Sequence, residues 1–596
     1  MPDLMRRLWR HLEPGHRAEF FLLLGLMMLN ALAEVISLGA VLPFLGILTA
    51  PERVMAWEWM QPVMGALGIH TAAGLVLPLT FLFVLAIVIA AFLRMLLLWW
   101  TTRYTLRAGL ALSCLTYRRT LYQPYSVHIA RNSSGVISGL TNKINTVVFG
   151  VVMPLLVLAS SALLVVSVVA TLMVIDPVVA MTAALALGLG YGTITLFTRH
   201  RMRRNSENIA HGQTGLLKTL QDGLGGIRDV LLDGTQDVYC GVYREADEPL
   251  RRAQCNNTFI SQSPRIVMEA AGMLLIAGIA YAMSRQAGGI TPALPVLGAL
   301  ALGAQRMLPA LQQAYSAWQS IAGNRASLQD VVDLLDQPLP EELLLPAPQP
   351  LEFDDGIVIE DVSYRYDTGP WILDGINLRV PKGARVGLVG PTGSGKSTLL
   401  DILMGLLPPT RGRLLVDGNP LGVGQTLRAW QGAIAHVPQS IYLADASIAE
   451  NIAFGVPAED IDRARVGKAA HAAQIGDFIE SSAGGYDATV GERGIRLSGG
   501  QRQRIGIARA LYKDASVLVF DEATSALDTA TEQSVMETIA SLDRGLTVFL
   551  IAHRLSTVRG CDMIVELNAG RIVAVDTYDN LVARSPSFRR MAGESG

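Results

Sequence analysis

The sequence predicts a membrane α-helical region of six transmembrane spans fused to a cytoplasmic α/β domain of the P-loop type. Three observations carry this prediction: six long apolar stretches confined to the first 322 residues, a cluster of prolines behind them, and short β-branched runs alternating with helical ones from 351 onward. A bilayer core of about 30 Å needs roughly 20 apolar residues per helix. Such stretches lie near 20–49, 74–102, 144–174, 177–198, 266–284 and 292–321. Several exceed the membrane's thickness, so those helices tilt or run on into the cytoplasm.

Arg6, Arg7, Arg10 and Arg17 precede the first span, and Arg199, Arg201, Arg203 and Arg204 follow the fourth. Positive loops stay inside, so both termini and the α/β domain are expected on the cytoplasmic side of the cell's inner (plasma) membrane. The basic start reads as a cytoplasmic lead-in to a retained helix, because the apolar run behind it is too long for a signal-peptide core and lacks a convincing small-residue cleavage site. Residues 51–70 place Val54, Trp57, Met60, Met64 and Leu67 at helical spacing, interrupted by Pro62. That segment is either a short helix on the outer face or a loop with interfacial tryptophans. Pro338, Pro340, Pro346, Pro348 and Pro350 then hold the chain extended and non-helical. The expected division is a membrane domain 1–336, a linker 337–350 and a soluble domain 351–596.

At 596 residues the chain is too long for one core. Hydrophobic residues make up 51% against 17% charged, which favours a membrane protein. The net charge of −2 excludes the basic field that nucleic-acid binding requires. Cys114, Cys240, Cys255 and Cys561 are too scattered for a zinc site or a disulfide framework. The sequons at Asn132 and Asn256 fall on the cytoplasmic side and read as chance.

The decisive motif opens the second domain. Ala384 to Val389 reads as a buried strand, followed by Gly390-Pro391-Thr392-Gly393-Ser394-Gly395-Lys396-Ser397-Thr398 and a helical run. Glycines let the backbone curl until its N–H groups face phosphate oxygens, and the helix start adds positive potential. Lys396 is placed to reach the terminal phosphates of ATP, and Ser397 to ligate Mg²⁺. Farther on, the apolar strand Ser516 to Phe520 ends in Asp521-Glu522. Asp521 suits the metal and Glu522 the attacking water, although an Asp-Glu pair alone would also cap a helix.

Leu497-Ser498-Gly499-Gly500-Gln501, followed by Gln503-Arg504 and lying upstream of Asp521, resembles the signature of the ATP-binding-cassette family, and the resemblance covers essentially the whole chain. It implies an ATPase coupled to transport. It also implies that Gln439 serves the metal and the coupling to the membrane, that Ser525-Ala526-Leu527-Asp528 touches a second motor, and that His553 contacts the γ-phosphate. Tyr366 looks like the aromatic that stacks on adenine, with Tyr364 close enough to compete. In the family each ATP lies between one P-loop and another chain's signature, here Ser498, Gly499, Gly500 and Gln501. One of each per chain implies a homodimer, a heterodimer remaining open. Transmitting helices are expected near Tyr122 to His128 and Gly226 to Asp233.

Six spans ahead of one motor resemble the family's exporters, and within them the flippases of lipid-linked oligosaccharides. The matching residues are Ala33-Glu34-Val35-Ile36-Ser37, Pro43-Phe44, Pro264-Arg265 with Glu269, and Arg306-Met307-Leu308-Pro309. Lipid A, drug and peptide exporters share the architecture. Charge inside a span is costly and usually faces water or a partner. Glu34 and Arg306 lie mid-span, with Arg94 and Arg265 nearer the cytoplasmic ends. Either these arginines line a cavity suited to a lipid pyrophosphate, or Glu34 pairs with Arg306 while Arg94 and Arg265 snorkel. A reading from another class, an ATP-gated channel or nucleotide sensor, would tolerate loss of Glu522, which is present.

Overall fold

The computed structural model describes residues 1–41, 44, 47, 72–175, 177–284, 294–522, 533, 534, 537, 545–551 and 555–592. The predicted outer segment 51–70 and residues 525–528 lie outside them. The chain divides into two compact units, Met1–Gln123 with His128–Pro338, and Pro124–Val127 with Leu339–Gly596.

The first unit is helical. A short amphipathic helix α1 (Pro2–His11) is followed by α2 (Pro14–Gly39) and α3 (Ala72–Leu121). The short α4 (Tyr125–Ala130), whose residues Tyr125–Val127 group with the second unit, is followed by a rod built from α5 (Ser133–Ser138), α6 (Ile144–Val147) and α7 (Met153–Ile175). Then come α8 (Pro177–Gly225), the short α9 (Ile227–Leu232), α10 (Gln236–Ser284), α11 (Leu294–Gly323) and α12 (Arg325–Leu335). Among the described residues, Pro14–Ser37, Gly74–Leu121 and Ser133–Val174 are apolar and long enough to cross a membrane, with mean hydropathies of 2.0, 2.9 and 2.6.

Helices α3, α8 and α10 run far past the apolar stretches inside them. An apolar stretch reports where lipid would be, while helix formation continues through the polar residues beyond it. Asn132 of the first sequon caps α5, its side chain accepting from the Ser134 N–H at 2.9 Å. Asn257, in the second, accepts from Asn205 Nδ2 at 2.8 Å.

Helix irregularities are where the rods grip one another. Pro264 has no N–H to offer the carbonyl of Ile260, and the Tyr315 hydroxyl donates to that carbonyl at 3.2 Å. Gln312 Nε2 donates at 2.9 Å, and the Ser316 hydroxyl at 3.2 Å, to the next carbonyl, of Ser261. Two π-helical turns, Gly139–Lys143 and Val148–Val152, interrupt the α5–α7 rod. The Gly150 carbonyl in the second accepts from the Ser320 hydroxyl at 3.0 Å. Lys143, in the first, donates to Asp330 of α12 at 2.5 Å.

In the second unit, β1 (Gly356–Tyr364), β2 (Leu373–Pro381), β4 (Arg411–Val416) and β5 (Asn419–Pro420) form an antiparallel sheet in the order β2-β1-β4-β5. A second sheet has the order β10-β9-β3-β8-β7-β6. Its strands are β3 (Arg385–Val389), β6 (Ile434–Val437), β7 (Val517–Asp521), β8 (Thr547–Ile551), β9 (Met563–Asn568) and β10 (Arg571–Asp576), parallel except for β10. Both faces are covered. Leu518 and Phe520 belong to one core, while Val517 and Val519 belong to the other. That explains the unbroken apolar run the sequence shows at β7.

The linker differs from its expectation of a wholly extended, non-helical chain, because Glu341–Leu344 make one 3₁₀ turn. Pro340, with φ −56°, starts that turn instead of preventing it. Gln425 Nε2 then donates to the Glu342 carbonyl at 2.6 Å.

Candidate functional site

The parallel strands bring their carboxyl ends to one edge, where open α/β sheets hold their ligands. The P-loop leaves β3 and enters α13 (Lys396–Leu403). Gly390, at φ +147°, leaves no room for a side chain, since a Cβ there would overlap the Leu567 carbonyl oxygen. Gly395, at φ +99°, caps α13, and its Cβ would strike Leu373. Only glycine fits at either position. Lys396 is 7% exposed, and its Nζ donates to the Gly390 and Pro391 carbonyls at 2.8 and 3.0 Å. Burial lowers its pKa, against the opposing pull of Glu522 and Asp521.

Asp521 ends β7 beside this loop and accepts a hydrogen bond from Ser397. Burial raises its carboxyl pKa, and Glu522 next to it adds to the rise. Glu522 sits at φ +51°, its N–H bonded to the Ile551 carbonyl at 3.1 Å. Gln439, just after β6, donates from Nε2 to Glu522 Oε2 at 2.5 Å. Ser397, Gln439, Asp521 and Glu522 thus form one connected polar group.

ATP fits this cradle on two counts. Gly390 and Gly395 admit no Cβ, so only glycine lets the backbone curl there, and the buried Ser394 hydroxyl has no partner among the described residues. Tyr366 is 41% exposed, and its ring stands edge-on to the buried Tyr364 at 5.1 Å, so Tyr366 is the ring of the pair that offers a free face. Ser498 caps α14 (Gly499–Lys513) in a reciprocal box, its N–H donating to Gln501 Oε1 at 2.8 Å. Ser498 and Gly499 are exposed. His553 lies outside the described residues.

The sequence reading missed Asp401, on α13 between Leu400 and Ile402. Burial pushes its pKa up to about 6, with Asp521 adding to the rise. The available signal was an acid on an otherwise apolar helix flank.

Among the membrane charges, Glu34 is only 3% exposed and forms an ion pair with Arg94. The Arg306 side chain lies outside the described residues, so the pairing weighed between Glu34 and Arg306 falls there too. Arg265 Nε donates to Glu269 Oε1 at 2.8 Å, one helical turn away. Both line a cavity of about 1050 Å³ together with Gln262, Ser263, Gln312 and Ser316.

Comparison with known proteins agrees with this assembly of parts. Residues 31–292 match the ABC transporter transmembrane region, and residues 373–525 match the ABC transporter family. An ATP-dependent lipid A-core flippase of Chromohalobacter salexigens is 34% identical over 402 residues, 67% of this chain and 68% of that protein. The chain belongs to the ATP-binding-cassette transporters. A second lipid A-core flippase, from Albidiferax ferrireducens, is 31% identical over 79% of this chain and 80% of its own length. A β-(1→2)glucan export ATP-binding/permease protein of Agrobacterium vitis is 41% identical over 45% of this chain and 44% of its own. In fold the transporter matches a bacterial Atm1-family ABC exporter solved with ATP bound, at a TM-score of 0.76 and 26% identity, covering 99% of this chain and 98% of the other. It is therefore a multi-pass membrane exporter whose transport is coupled to ATP hydrolysis.

Proposed function

We propose that the transporter works as a homodimer in the inner membrane, with its termini and motor cytoplasmic, and flips a phosphate-bearing glycolipid, a lipid-linked oligosaccharide in the finer reading. The observation that carries this is the 1050 Å³ cavity in the membrane unit, where the Arg265 guanidinium with its partner Glu269, two amides and three hydroxyls converge. Guanidinium forks suit phosphate oxygens, and amides and hydroxyls suit sugar hydroxyls. Arg306 is assigned to phosphate binding from the sequence alone, since charge inside a span is costly unless it meets water or an anion. Arg94 contributes differently, by neutralising the buried Glu34. Two relatives are named for lipid A-core, another phosphate-bearing glycolipid, which keeps that headgroup as a second reading.

In the motor, Lys396 and the loop N–H groups hold the phosphates, and the free face of Tyr366 stacks on adenine. Ser397, Asp521 and Gln439 would hold Mg²⁺, which would neutralise phosphate charge. Glu522, positioned by Gln439, accepts the proton of the attacking water. His553 touches the γ-phosphate. Ser498, Gly499, Gly500 and Gln501 act on the partner's nucleotide.

The test is flipping by the reconstituted transporter, offered a polyprenyl-pyrophosphate oligosaccharide and lipid A in parallel. Transport of the first supports the oligosaccharide reading, and of lipid A alone the second. Arg265→Gln with Arg306→Gln is expected to reduce transport at least about tenfold, as loss of charge-assisted hydrogen bonds implies. Unchanged transport by a folded double variant would refute the anion-binding cavity.

A further inference from the structure

A second polar cavity, of about 680 Å³, opens between α8 and α10. One wall carries Arg201, Arg204 and Asn208 at helical spacing that puts all three on one face of α8. Neither arginine has a carboxylate partner among the described residues. The facing wall carries Asn256 and Phe259 from α10, the carboxylate of Glu245, and Arg252, which is held by Glu248 at 2.6 Å. Asn205, nearly buried, donates to Asn257 at 2.8 Å and pins the two helices where they cross. The positive-inside rule accounts for arginines at this depth, but not for two of them facing a cavity with no ion pair among the described residues although Glu245 lines the same cavity.

Phe259 connects this cavity to the one already described. Its ring is 70% exposed and lines both. Arg265 lies six residues farther along α10, roughly 9 Å by helical rise. An exposed apolar ring flanked by amides and guanidinium groups is suited to a sugar carrying phosphate. The ring covers the sugar's C–H face, amides bond its hydroxyls, and unpaired arginines bind phosphate oxygens bidentately.

We infer that the α8–α10 cavity is a loading subsite for the phosphorylated sugar headgroup, with Arg201 and Arg204 holding phosphate and Phe259 the sugar ring, ahead of the Arg265 cavity. The inference rests on the glycolipid reading above and deepens it. The headgroup would engage this cytoplasmic cleft first and pass along α10, past Phe259, to Arg265. Anionic phospholipid shares the phosphate chemistry but has no sugar ring for Phe259.

The experiment measures ATPase stimulation in nanodiscs against increasing lipid A or polyprenyl-pyrophosphate oligosaccharide, whichever the wild type flips. Phosphatidylglycerol and the dephosphorylated glycolipid are titrated in parallel. Arg201→Gln with Arg204→Gln, in protein melting at the wild-type temperature, is expected to raise the half-maximal glycolipid concentration about tenfold. The response to phosphatidylglycerol should not move. Phe259→Leu should weaken the response to both glycolipid forms, and it remains informative should the arginine variant fold poorly. A half-maximal concentration unchanged in both variants overturns the proposal. So does an equal loss with phosphatidylglycerol, which would make the arginines a general lipid anchor. If the wild type responds to no glycolipid, the parent reading fails instead.

Discussion

Glu522 shows how much a single residue contributes and how it was legible. Its place after an apolar strand and an aspartate marked it in the sequence, and the structure adds what no motif states: a backbone at φ +51° and a hydrogen bond from Gln439. A non-glycine residue in that region is held there by its surroundings. Glu522→Gln keeps the side chain's size but removes the base. Hydrolysis should fall about 10²- to 10⁴-fold while ATP still binds. Turnover measured beside nucleotide binding on the same preparation checks this, and near-normal turnover would refute the role. The P-loop was readable because its chemistry is contiguous, from Gly390 to Ser397. The Arg94–Glu34 pair was not, because its partners are 60 residues apart on different helices and Arg306 offered an equal charge. Asp401 escaped for a related reason, since its neighbour Asp521 is distant in sequence.

At the scale of elements, the apolar stretches 20–49, 74–102 and 144–174 overlap the three described helices apolar and long enough to cross a membrane, but the stretches gave neither the polar lengths of α8 and α10 nor the π turns at Gly139–Lys143 and Val148–Val152, which have no local residue signature. The role of α1 was also hidden. Leu4, Leu8 and Leu12 bury one face, while Arg7 and His11 reach Asp336 just beyond α12, and Arg7 also bonds Asp333 at 2.9 Å. Arg119 near the end of α3 and Gln123 just beyond it hold the next carbonyls, of Gln337 and Pro338, at 3.0 and 2.9 Å. The last turn before the linker is therefore gripped from two helices. Partial burial would raise the Asp336 pKa, but hydrogen bonds from His11 and Arg7 outweigh it and hold the carboxyl below its ordinary 3.8. A lowered acid stabilises the fold above its unfolded pKa, and the benefit vanishes as pH falls through the lower folded value. Asp336→Asn should thus lower the melting temperature of detergent-solubilised transporter at pH 7. Near pH 3 the difference should shrink. An equal difference at both pH values would show that charge is not what Asp336 contributes.

The whole molecule raises the question of where the second half of each ATP site comes from. One chain carries one P-loop and one signature, and the signature serine caps α14 with its side chain and the adjoining Gly499 exposed. If the site is shared between two copies, damage to the two motifs must complement in a way that damage within one chain cannot. Lys396→Ala removes the cation from the P-loop, and Ser498→Arg puts a bulky cation where a partner's γ-phosphate should lie. Each variant alone has both of its sites broken, once through the loop and once through the signature. A mixed dimer of the two variants gathers both lesions into one site and leaves the other with an intact P-loop facing an intact signature. Random pairing makes half the dimers mixed, so coexpressed variants should recover about one quarter of wild-type hydrolysis if the sites act independently. Placing both substitutions in one chain and mixing it with wild type supplies the control, because its mixed dimers then carry one lesion in each site. Hydrolysis by the coexpressed variants no higher than by either alone would exclude the shared site in a homodimer.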